Sequence, residues 1–198
     1  MRPLAWLCMG TMLVASSCTH PGSPHLPVLS ATADSVEMGM ATLQGMSADS
    51  AEAIRTRVEI KMNDLVWLMQ DSLVDFSVDE AQIMGDWVRV KRFLKDGPER
   101  LNALDAEGKR CLDQLNNLQA AIRQGAEVDA EGTVMDEAYF ARQVQREIEA
   151  VNAWRATLAD TKRMVEAGTL LEGTTRASMD SLILAKRAEW AQQIAATE

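Results

Sequence analysis

The chain has 198 residues, of which 47% are apolar, a length and composition that suit one domain with a sizeable hydrophobic core. Its 29 acidic residues outnumber the 20 lysines and arginines and give a net charge of −9. Phosphate backbones and anionic headgroups repel such a chain. This argues against a nucleic-acid partner and against a membrane surface beyond any anchor.

The first 17 residues have the three parts of a secretory signal. Arg2 and the α-amino group supply a positive start, an apolar stretch follows from Leu4 to Ala15, and small residues precede Cys18. The apolar stretch is too short for a permanent spanning helix, which takes about 20 residues. We therefore expect residues 1–17 to be a signal that is removed.

The small residues directly before Cys18 are Ala15, Ser16 and Ser17, and they resemble the lipobox of bacterial lipoproteins. In that family the cysteine is joined to diacylglycerol, the chain is cut just before it, and the new amino terminus is acylated. The resemblance implies cleavage between Ser17 and Cys18 and lipidation of Cys18, and several acyl chains attach a protein stably. The family most often has leucine where this chain has Ala15. The alternative is an ordinary signal cut after Ser17, which leaves a free thiol.

The location follows from the same resemblance. Some lipoproteins of Gram-negative bacteria carry acidic residues just after the cysteine as a sorting or export tag, and residues 19–25 contain none. The resemblance therefore implies a lipid-anchored protein of the cell envelope, on the periplasmic face of the outer membrane.

The segment after Cys18 divides into a tether and a lead-in. Residues 19–30 contain three prolines and predict an extended tether that holds the domain away from the bilayer. Residues 31–46 have apolar spacing typical of a helix, interrupted by Gly39 and Gly45, and predict a loose lead-in. The lead-in either packs on its own bundle or orders on binding a partner. The predicted organisation is a signal (1–17), a lipidated tether and lead-in (18–46) and a helical bundle (47–198).

Amphipathic helices are predicted over residues 49–75, 77–95, 98–124, 134–167 and 175–196, where apolar residues recur at steps of three and four. Asp49 with Glu52, and Ser77 with Glu80, have the spacing of capping boxes. Gly97 is predicted to end the second helix in the left-handed conformation, so that the helices on either side form an antiparallel hairpin. Gly168 and residues 172–174 are predicted to separate the last two helices.

The third of these helices has the most regular pattern. Its seam repeats in heptads with Gly108 as a gap, and consists of Leu101, Leu104, Gly108, Cys111, Leu115, Leu118 and Ile122. No segment alternates in the manner of a strand. The predicted fold is all-α, an elongated antiparallel bundle of four to five helices with coiled-coil-like packing.

Histidine and cysteine, which are common at catalytic and metal sites, are scarce. The only histidines are His20 and His25, so the helical part lacks the base that a serine or cysteine nucleophile needs. Cys111 has no partner for a disulfide once Cys8 leaves and Cys18 is lipidated, and we expect it in the core. We expect no catalytic residue, no metal site and no cofactor, although a pair of carboxylates remains open as an alternative.

The loop at residues 127–134 resembles part of a calcium-binding EF-hand loop, with acids at its first, third and fifth positions and Gly132 at the sixth. The twelfth position is Ala138, where a bidentate glutamate is required, and two of the acids are the longer glutamate. We therefore expect a solvated loop.

The four tryptophans that follow the signal suit either core filling or a groove for a partner, and they are Trp67, Trp87, Trp154 and Trp190. The sequence favours a non-enzymatic, membrane-anchored scaffold or accessory protein that acts through helical contacts with an unidentified protein. Self-association is open too, because heptads join two chains as readily as they pack within one. The alternatives are a carrier of a small apolar ligand inside the bundle, and an inhibitor of a basic protein.

Overall fold

The computed structural model describes residues 20–70 and 73–197. A short 3₁₀ turn (Ser23–His25) leads into five α-helices, which are α1 (Leu26–Gln44), α2 (Ala48–Met69), α3 (Val78–Leu94), α4 (Gly97–Gln124) and α5 (Glu137–Thr197). Within these residues the only strand-like pairing is one bridge between Val128 and Val134. The predicted all-α bundle is confirmed. The predicted signal, Ser17 and Cys18 lie outside the described residues.

Three rods make up the bundle. The first consists of α1 and α2, the second of α3 and α4, and the third is α5 alone. Contacts between the first rod and α5 advance in the same direction along both, from His20 with Phe140 to Trp67 with Trp190. These two rods are therefore parallel. Since α5 has 61 residues, it is about 90 Å long at 1.5 Å per residue.

The second rod runs antiparallel to α5. Glu80 pairs with Lys186 near the carboxyl end of α5, whereas Leu104 accepts a hydrogen bond from Trp154 in its amino-terminal half. The topology is therefore up-down-up. The amino end of the bundle contains His20 and the loop at residues 125–136, and the distal end contains residues 66–70 and 73–77 and the end of α5.

Both discontinuous rods break at one level of α5, which we call the waist (residues 45–47, 95–97 and 165–172). Val165 lines one groove with residues 45–47 and another with Asp96 and Gly97. Gly168 allows the second rod to come close, because a Cβ there would lie 2.7 Å from Leu94 Cγ. The continuous α5 therefore spans the point where its two neighbours change helix.

The predicted hairpin between residues 77–95 and 98–124 is wrong, because α3 and α4 follow one another along the second rod. Lys95 keeps helical dihedral angles, and among the described glycines only Gly125 and Gly132 have positive φ. Gly97 is therefore not in the left-handed conformation but opens α4. Pro98 lies in the first turn of α4 as predicted, where its missing N–H leaves no bond unmade.

The predicted turn in α5 is also wrong, because residues 137–197 form one helix. Gly168 serves close packing, and Glu172 is buried and paired with Arg57 and Arg176. A glycine inside a helix costs about 1 kcal/mol relative to alanine. The packing of α5 on α2 and α3 offsets that cost at Gly168 and Gly173.

The predicted boundary at residue 46 is wrong for residues 20–46, which form part of the bundle rather than a tether and loose lead-in. Leu29 and Val36 are fully buried, and Gly39 lets the Trp154 ring approach α1. Pro24 and Pro27 lie in the first turns of the 3₁₀ turn and of α1, where proline is tolerated. The prolines of this segment therefore lie at the starts of helical turns and do not form an extended tether.

The helix caps were predicted with mixed success. The Ser77–Glu80 capping box before α3 is confirmed, with both reciprocal hydrogen bonds present. The Asp49–Glu52 box is wrong, since Ser47 caps α2 by accepting a hydrogen bond from the Ser50 amide at 3.1 Å. Glu52 instead pairs with Arg55. α2 ends at Met69 rather than near residue 75.

Candidate interaction surfaces

Side chains fill the space between the three rods in the amino-terminal half. Gly108 is a gap in the α4 seam, as predicted, and Met40 and Trp154 pack against it. The Trp154 indole N–H donates to the Leu104 carbonyl oxygen at 2.9 Å, which fixes the ring between α1 and α4. Trp87 is fully buried in the other half. Two of the four tryptophans are therefore core residues.

Several cavities of about 400 to 490 Å³ are open grooves on the surface. One of about 400 Å³ lies between α4 and α5 and is lined by Arg100, Ala103, Leu104, Glu107, Ala150, Ala153, Trp154 and Thr157. Another, of about 430 Å³, lies beside the loop before α5 and includes Tyr139, Gln143 and Glu147. Burial raises the pKa of the Glu147 carboxyl. These grooves offer contact with a protein surface but do not enclose a ligand.

The loop at residues 127–134 uses its carboxylate internally. Asp129 Oδ1 accepts hydrogen bonds from the amides of Glu131 at 3.0 Å and Thr133 at 2.7 Å. The hydrogen bond from the Thr133 amide is the main reason that the pKa of Asp129 lies below its ordinary value. Other hydrogen bonds to this carboxylate act in the same direction. Gly132 takes the left-handed conformation that closes the turn. In residues 20–70 and 73–197, no three metal-binding side chains are grouped so as to hold an ion.

Cys111 lies in the core, as expected, with 1% of its surface exposed. Burial, aided by the nearby Glu147 carboxylate, raises the pKa of the Cys111 thiol. Since the thiolate is the reactive form, this environment disfavours nucleophilic chemistry at Cys111.

The carboxyl-terminal half of α5 carries two buried charges that hold the fold. Lys186 Nζ donates to the Asp75 carbonyl oxygen at 2.6 Å and pairs with Glu80 and Glu189, each at 3.1 Å. Burial opposes the charge on Lys186, but these carboxylates outweigh that effect and raise its pKa. Lys186 also lies 5.2 Å from the Phe76 ring centroid, so it ties the turn before α3 to α5.

Three exposed apolar side chains lie close together in sequence at the distal end. The distal patch consists of Val66, Trp67 and Met69, of which Trp67 is 50% exposed. The Trp67 ring meets Trp190 edge-on, with 5.0 Å between ring centroids. The sequence placed Trp67 beside the α2 stripe without separating it from the core tryptophans, because the end of α2 was predicted six residues too late.

The amino end of the bundle lies at the other extreme. His20 Nε2 lies 3.0 Å from the Ala126 carbonyl oxygen, and its ring contacts Phe140. From Phe140 to Trp190, α5 rises by 50 residues, or about 75 Å. The chain therefore enters the bundle about 75 Å from the distal patch.

One further exposed surface was missed by the sequence analysis. The apolar residues Met179, Leu182 and Ile183 of α5 face the core, as the predicted helix 175–196 implied, but Leu170 and Leu184 are 70% and 73% exposed. They belong to a second seam on the outer side of α5. In the sequence, this surface corresponds to a heptad repeat that is offset from the core-facing apolar residues of α5.

Comparison with known proteins identifies no relative. No family model, no curated protein and no solved structure matches the chain. Of the helices in the described residues, none is long and apolar enough to cross a membrane.

Proposed function

We propose that the protein is a lipid-anchored component of the cell envelope that acts as a non-enzymatic scaffold or accessory protein through helical protein contacts. Cys18 carries the lipid at the periplasmic face of the outer membrane, and the bundle presents its surfaces to a protein partner.

The separation between the amino end and the distal patch carries this proposal. Cys18 precedes His20 by two residues, and His20 packs on the bundle. A lipid at Cys18 therefore fixes one end of the bundle, whereas the tryptophan-containing patch lies about 75 Å away along α5. Aromatic side chains are enriched where proteins bind one another, so this arrangement favours a spacer that presents a contact surface.

The distribution of polar groups supports a role without catalysis. Both histidines lie in residues 20–25, and His20 is engaged with Ala126. The buried charges Glu172 and Lys186 are each paired within the fold. These groups stabilise helix contacts rather than surround a space for a substrate.

The alternative role as a carrier needs an enclosed apolar cavity of about 300 Å³ or more. The grooves of about 400 to 490 Å³ reach that size but open to the surface. Trp154 and Met40 occupy the space around Gly108 between the rods. This filling favours the scaffold over a ligand held inside the bundle.

The anchor is tested by growing cells with an alkyne-labelled fatty acid. We expect label on the wild-type protein and its recovery with the membranes, because the thiol of Cys18 takes the lipid. Cys18→Ala is the matched control and should carry no label. Label on Cys18→Ala, or none on the wild type, would contradict lipidation at this residue.

The scaffold role is tested by crosslinking intact cells from a photoreactive residue that replaces Trp67. We expect one stoichiometric protein partner, which is lost when Cys18→Ala releases the chain from the membrane. The same residue placed at the exposed Asn152, on the amino-terminal half of α5, is the control. A membrane-bound protein that captures nothing from position 67 would refute contact through the distal patch.

A further inference from the structure

The outer face of the carboxyl-terminal half of α5 has an exposed seam without charge. The seam residues are spaced alternately by four and three, and they are Leu170, Thr174, Ala177, Ser181, Leu184, Ala188, Ala191 and Ala195. All eight are exposed, although Leu170 borders the groove at the waist and Ala177 and Ser181 border a groove beside α3. Charged residues of this half of α5 lie beside the seam or face the bundle, for example Arg176 with Glu172 and Lys186 with Glu80.

Such a seam is unusual on this molecule. A polar outer face is the rule for a helix at the surface of a bundle, and the amino-terminal half of α5 follows it with Arg142, Glu149, Arg163 and Glu166 exposed. Four heptads of small and apolar residues, with two leucines about 70% exposed, instead have the pattern of a coiled-coil contact. The net charge is −9, so two copies of the chain repel one another. A face without acidic residues is where two copies meet with the least repulsion.

We propose that the outer seam of α5 binds the same seam of a second copy of this chain, in antiparallel orientation. This inference names a partner for the proposed scaffold, but the contact does not depend on the lipid.

Side-chain size favours the antiparallel orientation. When two seams run in opposite directions about an axis between Ser181 and Leu184, Leu170 faces Ala195 of the second copy and Leu184 faces Ser181 of the second copy. Each leucine then meets a small side chain, so the combined size of facing residues varies less along the seam than in a parallel pair. Parallel pairing would place leucine on leucine and alanine on alanine, so the two helices would have to change their separation along the seam.

Charge favours the same orientation. Asp180 and Arg187 flank the seam on one side, and they are paired within the chain with Lys61 and Asp64. Their side chains are still 48% and 55% exposed. In the antiparallel pair, Asp180 of each copy lies beside Arg187 of the other. In a parallel pair, both would face the uncharged Ala185 and Gln192.

The pairing has a consequence for reach. The axis lies about 42 residues from Phe140, so the amino ends of the two copies are about 130 Å apart at the rise of an α-helix. The pair therefore holds its two anchored ends at that separation. The scaffold is then a dimer twice anchored, with its grooves repeated about a two-fold axis.

Disulfide trapping tests the contact in full-length protein in intact membranes. Two differently tagged chains are co-expressed, one with Ala177→Cys and the other with Ala188→Cys, and mild oxidant is added. Facing positions of the antiparallel pair come within the Cα separation of about 4.4–6.8 Å that a disulfide needs. We expect a dimer that contains both tags and is dissolved by reductant.

Single variants distinguish the orientations. In the antiparallel pair, position 177 of one chain is about 16 Å along the axis from position 177 of the other, so Ala177→Cys alone should give no dimer. A dimer from either single variant would show parallel pairing and overturn the proposal. Bands that carry one tag and an unrelated protein, or no crosslink at all, would overturn it too. Wild-type chains with both tags control for bridges through Cys18.

A charge in the seam provides the second measurement. Leu184→Arg places a charge in a dry contact, and we expect the yield of trapped dimer to fall about tenfold or more. Ala159→Arg, on the exposed side of the other half of α5, is the matched control and should leave it unchanged. Helical circular dichroism should be the same in both, because both positions are exposed in the monomer. Equal yields from the two variants would refute the seam contact.

The two proposals fail separately. Trapped dimer from protein without fatty-acid label would end the anchor proposal and leave this one intact. Labelled, membrane-bound protein without trapped dimer would overturn the seam contact and leave the anchor proposal intact.

Discussion

Glu172 lies at the waist, where the first and second rods change helix, and it is 1% exposed. Arg57 of α2 and Arg176 of α5 reach it with hydrogen bonds of 2.6–2.8 Å. Burial is the largest single influence and would raise the Glu172 pKa, but the hydrogen bonds from the two arginines together outweigh it and lower the pKa. Glu172 is therefore held ionised, and it joins the first rod to the third.

Replacing Glu172 with glutamine should destabilise the bundle. Glu172→Gln removes the charge while keeping the shape, so it loses hydrogen bonds between charged groups. We expect a fall of about 2 kcal/mol in the free energy of unfolding, the size of such a bond, measured by urea denaturation at neutral pH. The control is Glu166→Gln. Glu166 pairs with the half-exposed Lys162, so this substitution should change the free energy of unfolding by less than about 0.5 kcal/mol. Equal effects would contradict a special role for Glu172.

The same residue predicts a dependence on pH. The folded-state pKa of Glu172 lies below the unfolded value of about 4.3, so its stabilisation is complete above that value. It is lost as the pH falls through the lowered folded-state pKa, where the carboxylate gains a proton in the folded protein. We therefore expect the stability difference between wild type and Glu172→Gln to shrink in urea titrations below about pH 4. A difference that grows on acidification would reverse the inferred direction of the pKa shift.

The environment of some side chains could be predicted from the sequence, and that of others could not. The Ser77–Glu80 cap and the burial of Cys111 were predictable, because each depends on neighbours in sequence or on a regular apolar stripe. Trp154 and Trp67 were not distinguishable, since each lies on or directly beside an apolar stripe of its helix. Their difference arises from the packing of the helices, because Gly39 and Gly108 make room for Trp154 whereas Trp67 stays half exposed beside Trp190.

At the scale of helices, glycine has opposite meanings at different positions. A Cβ at Gly108 would lie 2.9 Å from Trp154 Cζ2, and the Met40 sulfur is nearer still. Gly85 of α3 has nothing within 4 Å of such an atom. Gly108 therefore determines the approach of α1 to α4, whereas Gly85 only weakens its own helix.

Gly108→Ala should destabilise the protein although alanine favours helix. The Trp154 ring cannot yield easily because its N–H is bonded to Leu104, so we expect overpacking at a cost of about 1–3 kcal/mol, only partly offset by up to about 1 kcal/mol of helix propensity. Thermal unfolding measures the change.

Gly85→Ala is the matched control for that substitution and should raise stability by about 0.5–1 kcal/mol, because it fills no occupied space. If both substitutions stabilised the protein, α1 and α4 would not be in close contact at Gly108.

The helices themselves were largely readable, and their connections were not. Steps of three and four located α2, α3, α4 and both halves of α5, because burial of one face imposes that period. The same glycines and prolines that usually end helices were misread at Gly97, Gly168 and Gly173. At Gly97 and Gly168 the chain continues because a neighbouring rod packs on it, as Leu94 does on Gly168, whereas nothing lies within 4 Å of a Cβ at Gly173. That information is not local in the sequence.

At the scale of the whole molecule, the length of α5 decides what the protein can do. A turn at residues 172–174 would fold the last helix back and carry its carboxyl end about 35 Å from the waist toward the amino end. A continuous helix instead carries the outer seam and Trp190 to the distal end, which separates them from the amino end. Both the scaffold and the paired seam depend on this continuity.

The distance between spin labels at positions 142 and 192 tests it directly. Both residues are exposed on α5, and 50 residues of helix separate them by about 75 Å. We expect pulsed electron paramagnetic resonance on Arg142→Cys/Gln192→Cys to give an intramolecular distance near that value. The labelled protein is diluted with unlabelled chains so that distances between two copies do not contribute. Arg142→Cys/Gly173→Cys, 31 residues apart, serves as the control at about 46 Å. Were α5 broken near residue 173, the control distance would hold while the longer distance fell below it, and Trp190 would then lie toward the amino end instead of beside Trp67.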